Sequence, residues 1–297
     1  RQMCIRDRHE IDRGSTVYNV RIDSATAEGI DVKDAKEPGD YGVSITTLED
    51  MHTLLDGLDL ENIPFMMYTG ASSLRLLALV ASALKAQGKD VSKLHGVIGA
   101  NPIAQLVRNG KLSESLDKDY DDMAECIRWA RKNAPGLRTV MARSDVFSRG
   151  GCNAVQEVAY TFAMAVEYIR QMQKRGISIQ DIARSINFGF NTGAIFYIEI
   201  AKLRAARQVW ANIMKAFGAD EADCSAKIHA RPALFTKTIY DIGVNMLRNT
   251  TQIFSAVVGG VDTYENEPYD ETVRKGDEFS RRIATVSYTH LTLPTTP

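Results

Sequence analysis

INFGFNTGAIFYIEIAKLRAARQVWANIMKAFGA, running from Ile186 to Ala219, is the stretch from which the fold is read. It opens with a short apolar run, Ile186–Phe190, broken by Gly189 and closed by Asn191. That length and near-continuous hydrophobicity predict a buried strand ending in a polar tip. Phe196, Ile200, Leu203, Ala206, Trp210, Ile213 and Phe217 then recur at steps of three and four, which puts them on one stripe of a helix. Glu199, Lys202, Arg204, Arg207 and Lys215 fall mostly away from that stripe, and Gly218 stands where a left-handed residue would stop the helix. Strand, polar tip and packed helix make one βα unit.

The same unit repeats on both sides. Predicted strands lie at Val17–Ile22, Tyr41–Thr46, Ile63–Tyr68, Leu94–Ile98 and Leu137–Ala142 before it, and at Ser225–His229 and Val261–Tyr264 after it. Between them run helical patterns: Thr47-Leu-Glu-Asp50 caps one through Leu55, and Ser73–Gln87, Asp119–Asn133, Asn153–Arg175 and Thr236–Val258 follow, with a last helix from near Asp277. Strands alternating with helices through short connections must pair in parallel. Roughly eight such units in 297 residues predict an α/β chain folded as a (β/α)8 TIM-type barrel. No GxGxxG or GxxxxGK[ST] follows a strand, which argues against a nucleotide-binding sheet.

Lysine plus arginine (36) nearly balance aspartate plus glutamate (37), so the composition offers no basic footprint for nucleic acid and no polybasic patch for a membrane. Cys4, Cys126, Cys152 and Cys224 form no CxxC and no close pair with histidine, the usage expected of reduced thiols in the cytoplasm. Both ends differ from the rest. Residues 1–8 (RQMCIRDR) and 286–297 (VSYTHLTLPTTP) match neither its periodicity nor its composition and resemble translated sequencing-adapter tails. They are expected to be non-native, leaving 9–285 as the barrel domain of a fragment.

In a barrel, chemistry sits at the C-terminal ends of the strands. The polar residues expected there are Asp23, Thr46, Tyr68, Asn101, Arg143, Asp145, Asn191, His229, Arg231, Asp262, Tyr264 and Asn266. His229 can donate, accept or titrate near neutrality, or serve only as a hydrogen-bonded core residue. Arg143 and Arg231 suit an anionic ligand, or pairing with Asp145 and Asp262. No metal-ligand spacing is present, and neither GxSxG nor HExxH occurs. Pattern alone therefore gives a barrel with a polar mouth and no assigned reaction.

The wording of the opening stretch goes further. IEIAKLRAARQVWANIMKAFGA closely resembles the helix after the sixth barrel strand in the methylmalonyl-CoA mutase family. GVSITTLEDMHTLLDGLDL, LVRN at Leu106–Asn109, QEVAYTFAMAVEYIR at Gln156–Arg170 and DEFSRRIA at Asp277–Ala284 are similar to the family as well. The resemblance implies a barrel that binds acyl-CoA, with adenosylcobalamin held against its mouth by a separate domain. The reaction it implies is a radical rearrangement between succinyl-CoA and methylmalonyl-CoA. By position, Arg108 matches the arginine near the substrate carboxylate and His229 the histidine near the substrate. Asn266, Asp270 and Glu271 match the loop facing the corrin.

Three departures bear on the role. Val146 stands where catalytic members place the histidine that hydrogen-bonds the thioester carbonyl. Gly99 replaces a substrate-binding glutamine, and Leu234 and Phe235 replace a glycine–tryptophan pair. The resemblance therefore implies the small subunit of a two-subunit bacterial mutase. Such a chain has no catalytic residue and no metal site of its own, with Arg108 and His229 as vestigial substrate contacts. It forms a heterodimer with a homologous catalytic large subunit, which holds the cobalamin. The competing expectations are a catalytic acyl-CoA mutase chain and a stand-alone barrel binding a CoA ester.

Overall fold

The computed structural model describes residues 10–12, 14–40 and 42–292, with side chains to 287. They form two compact units, one running to Ala142 and joined by Met164–Asn187, the other made of Arg143–Ala163 and the described residues from Phe188 onward.

In the first unit β1 (Tyr18–Val20), β2 (Phe65–Gly70), β3 (Gly96–Ala100) and β4 (Leu137–Arg143, to Ala142 in this unit) pair in parallel in that order. The intervening helices are α1 (Ser24–Glu28), α2 (Leu48–Leu55), α3 (Ser73–Ala86), α4 (Pro102–Asn109) and α5 (Leu116–Asn133). The cap predicted at Thr47 is present: Thr47 and Asp50 close a reciprocal capping box on α2. The sequence pattern does not predict two other starts: Pro102 opens α4, and Ser115 accepts from Lys118 N on α5, which begins three residues before the expected start at Asp119. Val20, Phe65, Met67, Leu77, Val80 and Ile98 are the centre of this unit's core, each at most 2% exposed. The end of α7 (Ala154–Lys174) and α8 (Ile179–Ser185) complete it.

The second predicted strand is reduced to one parallel bridge, Ile22–Val43; Tyr41 lies outside the described residues. The ladder stops because side chains take its next partners. Ser44 Oγ donates to Asp23 Oδ2 at 2.6 Å, and Ile45 N donates to Thr26 Oγ1 at 2.9 Å.

The second unit contains α6 (Asp145–Arg149), the start of α7, β5 (Ile186–Thr192, from Phe188 in this unit) and α9 (Phe196–Ala216). After them come β6 (Ile228–Pro232), α10 (Val244–Gly259), β7 (Thr263–Tyr264) and α11 (Glu278–Thr292). β5 pairs in parallel with β6, and β6 with β7. The opening stretch folds as its periodicity predicts, with a correction. Leu203, Ala206 and Trp210 are buried and Gly218 (φ 82°) follows the helix end, but Glu199 and Lys202 are buried too. One aromatic cluster packs β5 on its helices: Trp210 lies 4.6 Å from Phe188 and 5.5 Å from Phe162, centroid to centroid.

Other boundaries move. β6 begins at Ile228 rather than Ser225, so His229 is its second residue and not its tip. α10 begins at Val244 rather than Thr236. Thr238 N donates to Asn245 Oδ1 at 3.0 Å and Asn245 Nδ2 returns to Thr238 O at 2.9 Å, holding the intervening segment in a loop. Residues 1–8 lie outside the described residues, and α11 runs on past Val286 to Thr292. The described strands number seven, all parallel, so the α/β class stands.

Candidate functional site

Side chains alternate across a strand, and the registers Gly189–His229–Thr263 and Asn191–Arg231 put these residues on one face of β5–β6–β7. Phe188, Phe190, Ile228 and Ala230 take the other face, where the aromatic cluster lies. One side of this sheet is therefore apolar core and the other a polar surface lined by His229, Arg231, Thr263, Glu265 and Glu267.

His229 is 2% exposed. Its Nδ1 lies 2.9 Å from Thr263 Oγ1 and its Nε2 3.7 Å from Glu265 Oε2. Burial depresses its pKa; Glu265 opposes this, while Arg143 and Arg231 reinforce it. The imidazole is neutral at pH 7. Arg231 pairs with Glu267, which is 1% exposed, and Arg143 Nε lies 3.1 Å from Asp145 Oδ1. Tyr264 OH meets Thr192 Oγ1 at 3.1 Å, and burial raises its pKa. Both guanidiniums, Arg231 on this face and Arg143 at the end of β4, are matched by carboxylates of the same unit.

Beside it lies a buried charge cluster that the sequence pattern does not reveal. Lys202 Nζ is 2.7 Å from Glu157 Oε2, 2.5 Å from Glu199 Oε2 and 2.5 Å from the Asn191 carbonyl. Glu157 Oε1 also accepts from Ser144 Oγ at 2.5 Å and from Asn191 N at 2.8 Å. Burial opposes the ammonium charge, yet the two glutamates outweigh it and hold the Lys202 pKa above its ordinary value. The cluster ties the starts of α6 and α7 to β5 and α9. Its one local signal was the Glu199–Lys202 spacing of three, which on an exposed helix face would be an ordinary ion pair.

The first unit holds several expected mouth residues in structural roles. Asp23, fully buried, accepts from Thr26 N and Gly39 N at 2.8 Å each and caps α1. Asn101 Oδ1 accepts from Tyr168 OH at 2.7 Å, Tyr68 OH donates to Met66 Sδ, and Thr46 Oγ1 accepts from Val32 N. Arg108 is exposed on α4. Gly99 faces β4: a Cβ there would lie 2.3 Å from Met141 Cβ.

In the second unit, Asp262 is displaced from the expected mouth. It precedes β7 at the N-terminal edge, accepting from Ile228 N at 2.9 Å and pairing with Lys227 at 2.9 Å. Asn266 Nδ2 donates to Ala284 O at 2.9 Å, Asp270 is fully buried 2.7 Å from Arg274, and Glu271 is half-buried. Val146 is half-buried on α6, Leu234 half-buried and Phe235 exposed in a 3-10 turn. Among the described residues no group of three histidines, cysteines or carboxylates could hold a metal ion. No described helix is long and apolar enough to cross a membrane.

Comparison with known proteins bears on this arrangement. The methylmalonyl-CoA mutase family model matches residues 3–293. The methylmalonyl-CoA mutase of Escherichia coli K12 is 29% identical over 281 residues, 93% of this chain and 39% of that protein. The methylmalonyl-CoA mutase small subunit of Porphyromonas gingivalis is 34% identical over 212 residues, 70% of this chain and 34% of that protein. That of Streptomyces virginiae is 31% identical over 246 residues, 83% of this chain and 39% of that protein. The large subunits from the same two organisms are each 27% identical over 281 residues. The chain thus spans well under half the length of these relatives. With a match over nearly its whole length, and with the small subunits among its relatives, the chain belongs to the methylmalonyl-CoA mutase family, whose members are isomerases.

Proposed function

We propose that this chain is the small, non-catalytic subunit of a methylmalonyl-CoA mutase. In this reading it supports the adenosylcobalamin-dependent isomerisation of succinyl-CoA and methylmalonyl-CoA by a homologous large subunit, in the cytoplasm. The observation that carries the proposal is the self-pairing of the polar face. Arg231 with Glu267 and Arg143 with Asp145 leave little positive field for an anionic acyl thioester, and the buried, neutral His229 turns to Thr263. Val146 offers no hydrogen bond to a thioester carbonyl, a loss worth about 2.7–4 kcal/mol per donor in a preorganised site. Gly99 supports the same reading, since the packing of Met141 leaves no room there for a longer side chain.

We propose the (β/α)8 barrel as the parent architecture, with residues 9–285 as its domain and Arg108 and His229 as vestigial substrate contacts. Adenosylcobalamin, when bound, supplies the radical chemistry. The residues of this chain aligned with the corrin-facing loop do not fit a cofactor-holding role. The Asn266 amide nitrogen is committed to the α11 backbone, and Asp270 is fully buried with one carboxylate oxygen against Arg274. They are proposed to shape that loop while the partner holds the group. Tyr197 and Ile198 on α9 and Leu247 and Phe254 on α10 are exposed, which supports a partner over these helices. The free thiols Cys126, Cys152 and Cys224 support the cytoplasmic assignment.

Size-exclusion chromatography with light scattering tests the pairing: a stable one-to-one complex with a homologous large subunit is expected. His229→Ala in this chain is expected to leave the complex's turnover unchanged. A hundredfold loss would mean that His229 touches the reacting substrate.

A further inference from the structure

The polarity of α10 is inverted relative to an ordinary surface helix. Its buried side carries three amides, Asn245, Asn249 and Gln252, beside Ile253 and Ala256. The amides are tied within their own unit. Asn245 Nδ2 donates to the carbonyls of Thr238 at 2.9 Å and Tyr269 at 3.0 Å, Asn249 Nδ2 to the Glu267 carbonyl at 2.8 Å, and Gln252 Nε2 to Thr236 Oγ1 at 2.7 Å. The open side is apolar instead. Val244, Leu247, Thr251, Phe254 and Val258 are all exposed, and their steps of three and four put them on one stripe, the spacing with which one helix packs along another.

Nothing polar on this stripe demands water. Thr251 Oγ1 donates back into its own helix, 3.0 Å from the Arg248 carbonyl and 3.2 Å from that of Leu247. Arg248, the one charged residue of α10, is half-buried and donates to the Thr236 carbonyl. The stripe continues onto the start of α9, where Phe196 packs on Phe254 with ring centroids 5.4 Å apart. Around Phe196, Ile195, Tyr197 and Ile198 are 67%, 80% and 48% exposed. With Val244, Leu247, Phe254 and Val258 they leave roughly 700 Å² of apolar residue surface open, close to the ~800 Å² per partner that a standard-size interface buries.

We propose that this face of α9 and α10 pairs with the same face of a second copy of the chain, the two α10 helices antiparallel across a two-fold axis near Thr251. The stripe reads nearly alike in both directions from Thr251: a valine seven residues away on either side, then Leu247 four before and Phe254 three after. A two-fold contact sets each residue against its own surroundings, so it requires such a self-complementary pattern and no like charges along the seam. Both conditions are met on α10. The pairing does not depend on the subunit role of the chain. A homologous large subunit seated over these helices would displace the second copy, so the homodimer is the state of the chain without that partner.

Sedimentation velocity on the intact native chain alone, from about 1 to 100 µM, tests the pairing, because interfaces of this size bind in the micromolar range or tighter. The chain is expected to run as a dimer. Leu247→Glu enters the two-fold contact twice, at about tenfold each, and is expected to raise the dissociation constant at least a hundredfold with the melting temperature of the monomer unchanged. Val155→Glu, at an equally open apolar residue on α7, should leave the dimer intact. Thr251→Cys chains should join under mild oxidation through a disulfide between the two introduced thiols, whereas Val155→Cys chains should not. A chain that stays monomeric over the whole range, or a dimer that Leu247→Glu leaves as tight as before, would overturn the proposal. A chain monomeric by itself that binds a homologous large subunit through Leu247 would overturn it as well and give the face to that partner.

Discussion

Restoring a side chain at Gly99 should damage the fold. An added Cβ would sit 2.3 Å from Met141 Cβ, 3.2 Å from Val97 Cγ1 and 3.3 Å from Met141 N. Ordinary carbon contacts lie near 3.5–4.0 Å, so more than 1 Å of separation has to be found. Met141 cannot yield by changing rotamer, because the clash is with its Cβ, which is fixed to the backbone of β4. Overpacking of this kind costs about 1–3 kcal/mol, offset in part by the roughly 0.4–1 kcal/mol that alanine gains over glycine through the unfolded chain. Gly99→Ala is therefore expected to lower stability by about 1–2 kcal/mol, and Gly99→Gln by more, read as a shift in the urea midpoint at unchanged slope. The background discriminates the cause. Met141→Ala retains the clashing atom and should leave the Gly99→Ala cost intact, whereas Met141→Gly should largely abolish it. A neutral or stabilising Gly99→Ala would refute this account of the close approach.

Lys202→Met should destabilise by about 3–5 kcal/mol, because it strands the carboxylates of Glu157 and Glu199 in the interior. Adding Glu157→Gln and Glu199→Gln should recover part of that loss in chemical denaturation. Asp119 is 5% exposed, and burial, with Glu114 and Asp122 nearby, raises its pKa to about 6. A carboxyl with a raised folded pKa stabilises while protonated, and that contribution is lost as pH rises through about 6. Asp119→Asn should thus stabilise by about 1–2 kcal/mol at pH 8 and have little effect at pH 4, as measured by urea melts at the two pH values. Trimming residues 1–8 and 286–297 is expected to leave the melting temperature essentially unchanged; a clear drop would assign those ends to the native fold.

Much of the local structure was legible because its causes are local. The capping box of Thr47 and Asp50 and the spacing of Leu203, Ala206 and Trp210 each act within a few residues. The misreadings share a different cause. Ile45 N is taken by Thr26 Oγ1, 19 residues back, which ends a strand that composition alone favours. Lys202 and Glu199 look like solvent-facing charges until Glu157, more than 40 residues away in sequence, is brought against them. Asp262 was expected at the mouth because it is polar and close to a strand, yet its partners Ile228 N and Lys227 lie at the opposite end. The family wording located His229 and Val146 as informative positions. The residue pattern already offered Asp145 as the partner of Arg143, but it did not point to Glu267, rather than Asp262, as the partner of Arg231.

Turnover by the isolated chain tests the central claim most directly. Incubated with adenosylcobalamin and succinyl-CoA, the purified chain is predicted to form no methylmalonyl-CoA and to give no cobalt(II)–radical signal by electron paramagnetic resonance. Activity should appear only when a homologous large subunit is added. Methylmalonyl-CoA production, or the radical signal, from this chain alone would contradict the account and make it a catalytic mutase.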